Sequence, residues 1–136
     1  MVDSDGGPLS DIFVVLDVVG LMRARVDITG IGCARGTAAA LVACGTGERR
    51  ASPHATFSLR CRDHETVAGN GGDLSRRAIE LAAQRARLAA AVATATGRTA
   101  SVVSEDLEND HEHDARRALA LGIIDMIVEP RPRARP

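Results

Sequence analysis

Along the chain the apolar residues fall into runs of two periods. DIFVVLDVVGLMRA, 11–24, carries apolar groups at helical spacing and on most faces, which predicts a buried helix, with Ser10 as its cap. VDITGIG, 26–32, is a short β-branched run ending in glycines and predicts a buried strand. The Ala-rich 37–44 predicts a helix closed by Gly45. GTGERRASP, 45–53, reads as a loop, and ATFSL, 55–59, as a second strand. HETVAGNGGD, 64–73, is loose and Gly-rich. The longest periodic segment, 74–96, predicts a helix capped by Asp73 and ended by Gly97. Its stripe of Ile79, Ala82, Ala83, Ala86, Ala89, Ala90 and Ala93 needs burial. A last helix starts near Asp114, and GIIDMIV, 122–128, predicts the closing strand. Helices alternating with strands through short joins predict an α/β fold with mostly parallel strands.

Composition narrows this picture. At 136 residues the chain has room for one core, and with two Phe and no Trp or Tyr that core must be built from Ala, Val, Leu and Ile. The basic residues are 17 Arg and no Lys, which excludes lysine chemistry such as a Schiff base or a Ser–Lys dyad. A net charge of −1 argues against a nucleic-acid binder. EPRPRARP, 129–136, reads as a disordered Arg/Pro tail beyond a domain spanning 1–128. An odd set of cysteines (Cys33, Cys44, Cys61), no membrane-length apolar run and no signal-peptide layout together point to reduced thiols in a cytoplasm.

The strand-to-helix passage GCARGTAAALVACG, 32–45, draws attention because small residues there let a helix start pack tightly on a sheet. With SDGG (4–7), Pro53 before ATFSL, TGR (96–98) and DARRALALGIID (114–125), it resembles the proteolytic subunit of the Clp protease family, serine peptidases of the crotonase-like superfamily. The family shows Ser-Pro-Gly-Gly, Gly-x-Ala-Ala-Ser-Met-Gly-Ala and Ser-Ala-x-Glu-Ala…Tyr-Gly-Leu-Ile-Asp at the matching places. The resemblance runs from Val2 to about Val128. It implies a crotonase-like fold with a long handle helix, and a Ser–His–Asp triad in which an imidazole takes the serine proton.

By ungapped alignment the nucleophile position falls on Gly36 and the base position on Arg60, while the third member is retained as Asp110. The oxyanion-hole positions fall on Gly7 and Thr37. An arginine is effectively always protonated and cannot act as a base. The resemblance therefore implies a non-catalytic homologue, a structural or regulatory subunit of an ATP-dependent Clp protease ring. Its partners would be active proteolytic subunits in a homo- or hetero-oligomeric heptameric ring and a AAA+ Clp ATPase, with no cofactor. The alternative is an active serine-type endopeptidase subunit using Thr37 or partner-supplied residues. A crotonase-like acyl-CoA binder and a truncated product without function are further readings. Arg60 and Asp110 are expected to approach each other. The chain starts close before SDGG, so the family's axial loop, first helix and leading strands are expected to be missing, leaving a sheet edge uncovered.

DHEHD, 110–114, holds two histidines and three acids, but His111 and His113 stand two apart and lack a third distant ligand, since nothing places His54 or His64 beside them. It is expected to be a hydrated loop, and no metal is assigned. AGNGGD, 68–73, lacks the Lys-Ser/Thr of a phosphate loop and reads as a hinge at the ring interface.

Overall fold

The computed structural model describes residues 1–61 and 70–134. The loose segment expected at 64–73, and His64 within it, lie mostly outside these residues, as does the end of the Arg/Pro tail. Residues 129–134 are exposed and form no regular element.

The chain runs β1 (Val2–Ser4), α1 (Leu9–Leu21), β2 (Ile28–Arg35), α2 (Thr37–Ala43), β3 (Arg49–Ala51), β4 (Thr56–Ser58), α3 (Gly71–Thr96), α4 (Ala100–Glu108), β5 (His113–Asp114), α5 (Ala115–Ala120) and β6 (Met126–Ile127). The sheet path is β5-β4-β2-β3-β6, with β1 also paired to β2. Every pairing is parallel except β4 with β5, in keeping with the mostly parallel α/β architecture expected of the sequence.

β2 organises the sheet. Ile28–Gly30 pairs with β3, and Cys33–Arg35 with β4. Its Gly30 is a packing requirement: a Cβ there would stand 2.7 Å from the ring of Phe57, which is fully buried on β4. The one buried aromatic of the described residues thus packs over Gly30, where β2 has no side chain to obstruct it. α2 follows with Ala38, Ala39, Ala40, Val42 and Ala43 all buried, small enough to let its axis approach the sheet. Leu88, Ala89, Val92 and Ala93 of α3, Val103 and Leu107 of α4, and Ile123 and Ile124 complete the core.

Several local expectations are corrected. α1 buries only Leu9 and Ile12, and Val14 and Leu21 are 65% and 85% exposed. Hydrophobicity on most faces does not bury a helix that lies on the outside of α2 and α3 and offers them one stripe. Phe13 on that stripe receives the Arg87 guanidinium, 4.4 Å from its ring centre. Ser10 does not cap α1; Pro8 holds that position, and the Ser10 hydroxyl bonds Asp11 instead. α3 begins three residues earlier than expected, because Asn70 rather than Asp73 is its cap and accepts from the Asp73 N–H at 3.0 Å. Its end at left-handed Gly97 is as read.

The apolar stripe of α3 divides. Ala89 and Ala93 are buried, but Ile79 is 71% exposed and Ala82, Ala83, Ala86 and Ala90 lie open, since the buried residues of this helix are all in its second half, at Leu88, Ala89, Val92 and Ala93. β3 arises within the segment read as a loop, held by β2 on one side and β6 on the other. β1 adds a short parallel strand to β2. The helix α4 was not indicated by the apolar pattern. Among the described residues no helix is long and apolar enough to cross a membrane.

Candidate functional site

The turn from β2 into α2 sits at the bottom of a cleft of about 270 Å³. Its lining includes Gly7, Gly36, Thr37, Arg60 and Asp110, so the residues singled out in the sequence meet in one place. Gly36 caps α2 with φ 58° and ψ −122°, a conformation in which an L side chain is strained. A sharp strand-to-helix turn of this kind is where a nucleophile elbow presents its side chain. Here the position is bare. Its N–H donates to the Ser58 carbonyl at 2.7 Å, and a Cβ would come within 2.9 Å of the Arg60 carbonyl oxygen.

The Arg60–Cys61 backbone is fixed over this turn. The Cys61 N–H donates to the Leu107 carbonyl at 3.0 Å, tying the segment to the end of α4. The Arg60 guanidinium pairs with Asp110 at 3.3 Å, both side chains being substantially exposed. No proton-accepting nitrogen therefore faces Gly36 from position 60.

On the opposite wall the glycine segment meets α2. The Gly7 N–H donates to Thr37 Oγ1 at 2.8 Å, and the Thr37 hydroxyl lies 3.3 Å from the Gly7 carbonyl oxygen that accepts from it. The Thr37 side chain is thereby engaged in both directions and buried. The Gly7 amide, mapped by resemblance to an oxyanion-hole donor, spends its hydrogen bond inside the protein.

The cleft contains residues that the sequence reading did not assign to it. Arg35, directly before Gly36, reaches Asp5 at 3.3 Å and Glu112 at 3.0 Å. Ser58 and Cys61 line the floor. Arg35's adjacency to Gly36, and the positions of Asp5 inside SDGG and Glu112 inside DHEHD, were the available signals. Cys33 lies outside the cleft lining, beside Asp5 at 3.7 Å. Desolvation first, and then the Asp5 charge, hold its thiol above the ordinary range, which disfavours the reactive thiolate. Of the DHEHD histidines, His111 is exposed and His113 is half-buried on β5. Among the described residues no three His, Cys, Asp or Glu side chains converge at metal-binding distance.

The comparisons with known proteins bear on this arrangement directly. The Clp protease family model matches residues 1–131. An ATP-dependent Clp protease proteolytic subunit-like protein of Streptomyces coelicolor is 39% identical over 132 residues, covering 96% of this chain and 63% of that protein. The ATP-dependent Clp protease proteolytic subunit 1 of Nocardia farcinica is 33% identical, over 96% of this chain and 66% of its own length. Proteolytic subunit 2 of Mycobacterium tuberculosis is 30% identical, over 96% and 62% respectively. The chain thus spans a little under two thirds of the length of the relatives it matches. Its parallel sheet, its strand-to-helix turn at Gly36 and a match along nearly all of its length have one common source: the chain belongs to the Clp protease family.

Proposed function

We propose that this chain is a non-catalytic proteolytic-subunit homologue that serves as a structural or regulatory member of an ATP-dependent Clp protease ring in the cytoplasm. The observation that carries the reading is the elbow at Gly36. The position that would present a nucleophile has no side chain, and the residue opposite is a permanently protonated arginine held by Asp110. Two further features support it. The Gly7 amide is taken by Thr37, and the Arg60 carbonyl stands where a Cβ at position 36 would need room. Thr37 does not substitute as nucleophile in this reading, since its hydroxyl already donates to the Gly7 carbonyl and no imidazole lines the cleft among the described residues. The subunit would dilute active sites and alter which peptides or ATPases the ring accepts.

The test combines covalent labelling with a peptidase assay. The native chain, the native chain co-expressed with a full-length active proteolytic subunit, and the Gly36→Ser, Arg60→His double variant are treated with a serine-reactive phosphonate. The native chain is expected to stay unlabelled while co-purifying with the active subunit. The double variant is expected to acquire label to the extent that the Arg60–Cys61 backbone yields to the new Cβ, which would otherwise stand 2.9 Å from the Arg60 carbonyl oxygen. Labelling and unaided peptide cleavage by the native chain would overturn the proposal and send the search for the nucleophile to Thr37 and the cysteines.

A further inference from the structure

Two hydrogen-bond donors in the cleft at Gly36 are left over. The Arg60 guanidinium meets Asp110 through Nη1 alone, so its Nε and Nη2 have no acceptor among the described residues. Ser58 is only 4% exposed and lines the same cleft. Its Oγ accepts from the Arg60 N–H at 3.4 Å, while its own hydroxyl hydrogen has no acceptor among the described residues. A hydroxyl buried this far ordinarily spends its hydrogen.

The arginine beside them is differently placed. Arg35 gives Nη1 to Asp5 and Nη2 to Glu112. All three ion pairs are single contacts with both partners exposed, a kind that holds weakly and leaves the side chains free to turn. An open guanidinium edge takes a carboxylate through two parallel bonds. The fold shows this arrangement elsewhere, where Arg49 holds Asp125 through Nε at 3.0 Å and Nη2 at 2.6 Å. Charge selects among anions. Arg35 and Arg60 are balanced in the cleft by Asp5 and Asp110, with Glu112 in the space that adjoins it. A carboxylate adds one negative charge to that set. A phosphate dianion adds two, against three acids already present. At about 270 Å³ the cleft is small for a ligand pocket and suits the end of a chain.

We propose that this cleft captures the C-terminal carboxylate of a peptide, with Arg60 Nε and Nη2 clasping its two oxygens and the Ser58 hydroxyl donating to one of them. Gly36, having no side chain, leaves the cleft floor open to the last residues of that peptide. The inference rests on the reading of the cleft as non-catalytic, since a captured chain end must leave intact.

Titration calorimetry of the full chain with N-acetyl-Ala-Ala-Leu-Ala as free acid and as C-terminal amide tests this. The acid is expected to bind about tenfold or more tightly than the amide, as loss of charge-assisted bonds implies. Arg60→Gln is expected to abolish the preference, Ser58→Ala to weaken binding of the acid several-fold, and Asp110→Asn to strengthen it by removing a repelling charge. Equal binding of acid and amide by the native chain, or a preference that survives Arg60→Gln, would overturn the proposal. The native comparison decides even where a variant fails to fold. N-acetyl-Ala-Ala-Glu-Ala amide, acetate and inorganic phosphate separate the sources of charge. Binding of any of these as tightly as the free-acid peptide would overturn the assignment to a chain end. Mass spectrometry of the recovered peptide tests the underlying reading separately. Intact peptide without an acid preference refutes the clasp alone, whereas cleaved peptide refutes the non-catalytic reading.

Discussion

Arg49 joins the ends of three helical segments, and its removal is the most informative perturbation of this fold. The two hydrogens of its Nη1 are shared among the carbonyls of Ala43 at the end of α2 (2.9 Å), Ala95 near the end of α3 (3.0 Å) and Gly122 beyond α5 (2.8 Å). Nε and Nη2 meanwhile hold Asp125 at 3.0 and 2.6 Å. The side chain is 13% exposed, so water replaces these bonds poorly. Helix C-termini leave carbonyls without intrahelical partners and carry partial negative charge, which makes one cation shared among three of them an efficient arrangement. Hydrogen bonds to a charged group contribute about 1.5–3 kcal/mol each, but some of that is recovered when Asp125, half-exposed, returns to water. The expected cost of Arg49→Ala is therefore about 2–4 kcal/mol, carried by the lost bonds to the helix-end carbonyls rather than by the half-exposed ion pair.

Arg49→Lys should lose less, about 1–3 kcal/mol, since it keeps the charge but offers a point donor in place of a fork. Asp125→Asn should cost least, because the three carbonyl bonds survive. Urea denaturation followed by far-UV circular dichroism measures all three, read as midpoint shifts at unchanged slope. The hydrogen bond from Arg49 holds the Asp125 carboxyl below its usual range. Its stabilisation is thus present above the unfolded carboxylate value and is lost as pH falls through the folded one; that acid-side loss should shrink in Arg49→Ala. An Arg49→Ala chain within 1 kcal/mol of native would refute the reasoning. So would an Asp125→Asn chain as unstable as Arg49→Ala, since the ion pair and not the carbonyl cluster would then dominate.

Gly30→Ala should destabilise the fold by about 1–3 kcal/mol, as overpacking does, because its new methyl group meets the Phe57 ring at 2.7 Å; pairing it with Phe57→Leu should recover part of the loss, and a denaturation double-mutant cycle with zero coupling would contradict that contact. Burial raises the Cys44 thiol from 9.0 to about 11, so at pH 8 its thiolate fraction is about 100-fold below that of an unperturbed thiol. Iodoacetamide footprinting should find Cys44 reacting at least that much more slowly in the folded chain than in urea, and equal rates would exclude the buried environment.

How much of this molecule was legible beforehand follows the range of the forces involved. A helix starting near Asp114, Gly97 as a helix end and the strands around Ile28 and Phe57 were readable because backbone propensity and side-chain period act over a few residues. β3 was not, since RRA has no strand signature of its own. It is a strand because β2 and β6 pair with it and because Arg49 finds carbonyls up to 73 residues away. The facing of Arg60 and Asp110 was an expectation from family resemblance and not from spacing, and Arg35 on Glu112, 77 residues apart, was not foreseen at all.

What the sequence determined alone was chemical inventory and order: Gly36 between a strand and a helix, an arginine at position 60, small residues for α2, and an alternating succession of helices and strands. The tertiary structure alone decided which of these groups share a cleft, that the Gly7 amide is already bonded to Thr37, and that a strongly apolar α1 turns much of its surface to solvent. The physical reason is common to all three. Composition and period specify what a residue can do with its neighbours in sequence, whereas contact across the sheet depends on how parallel strands, joined by long crossovers, bring distant segments into register.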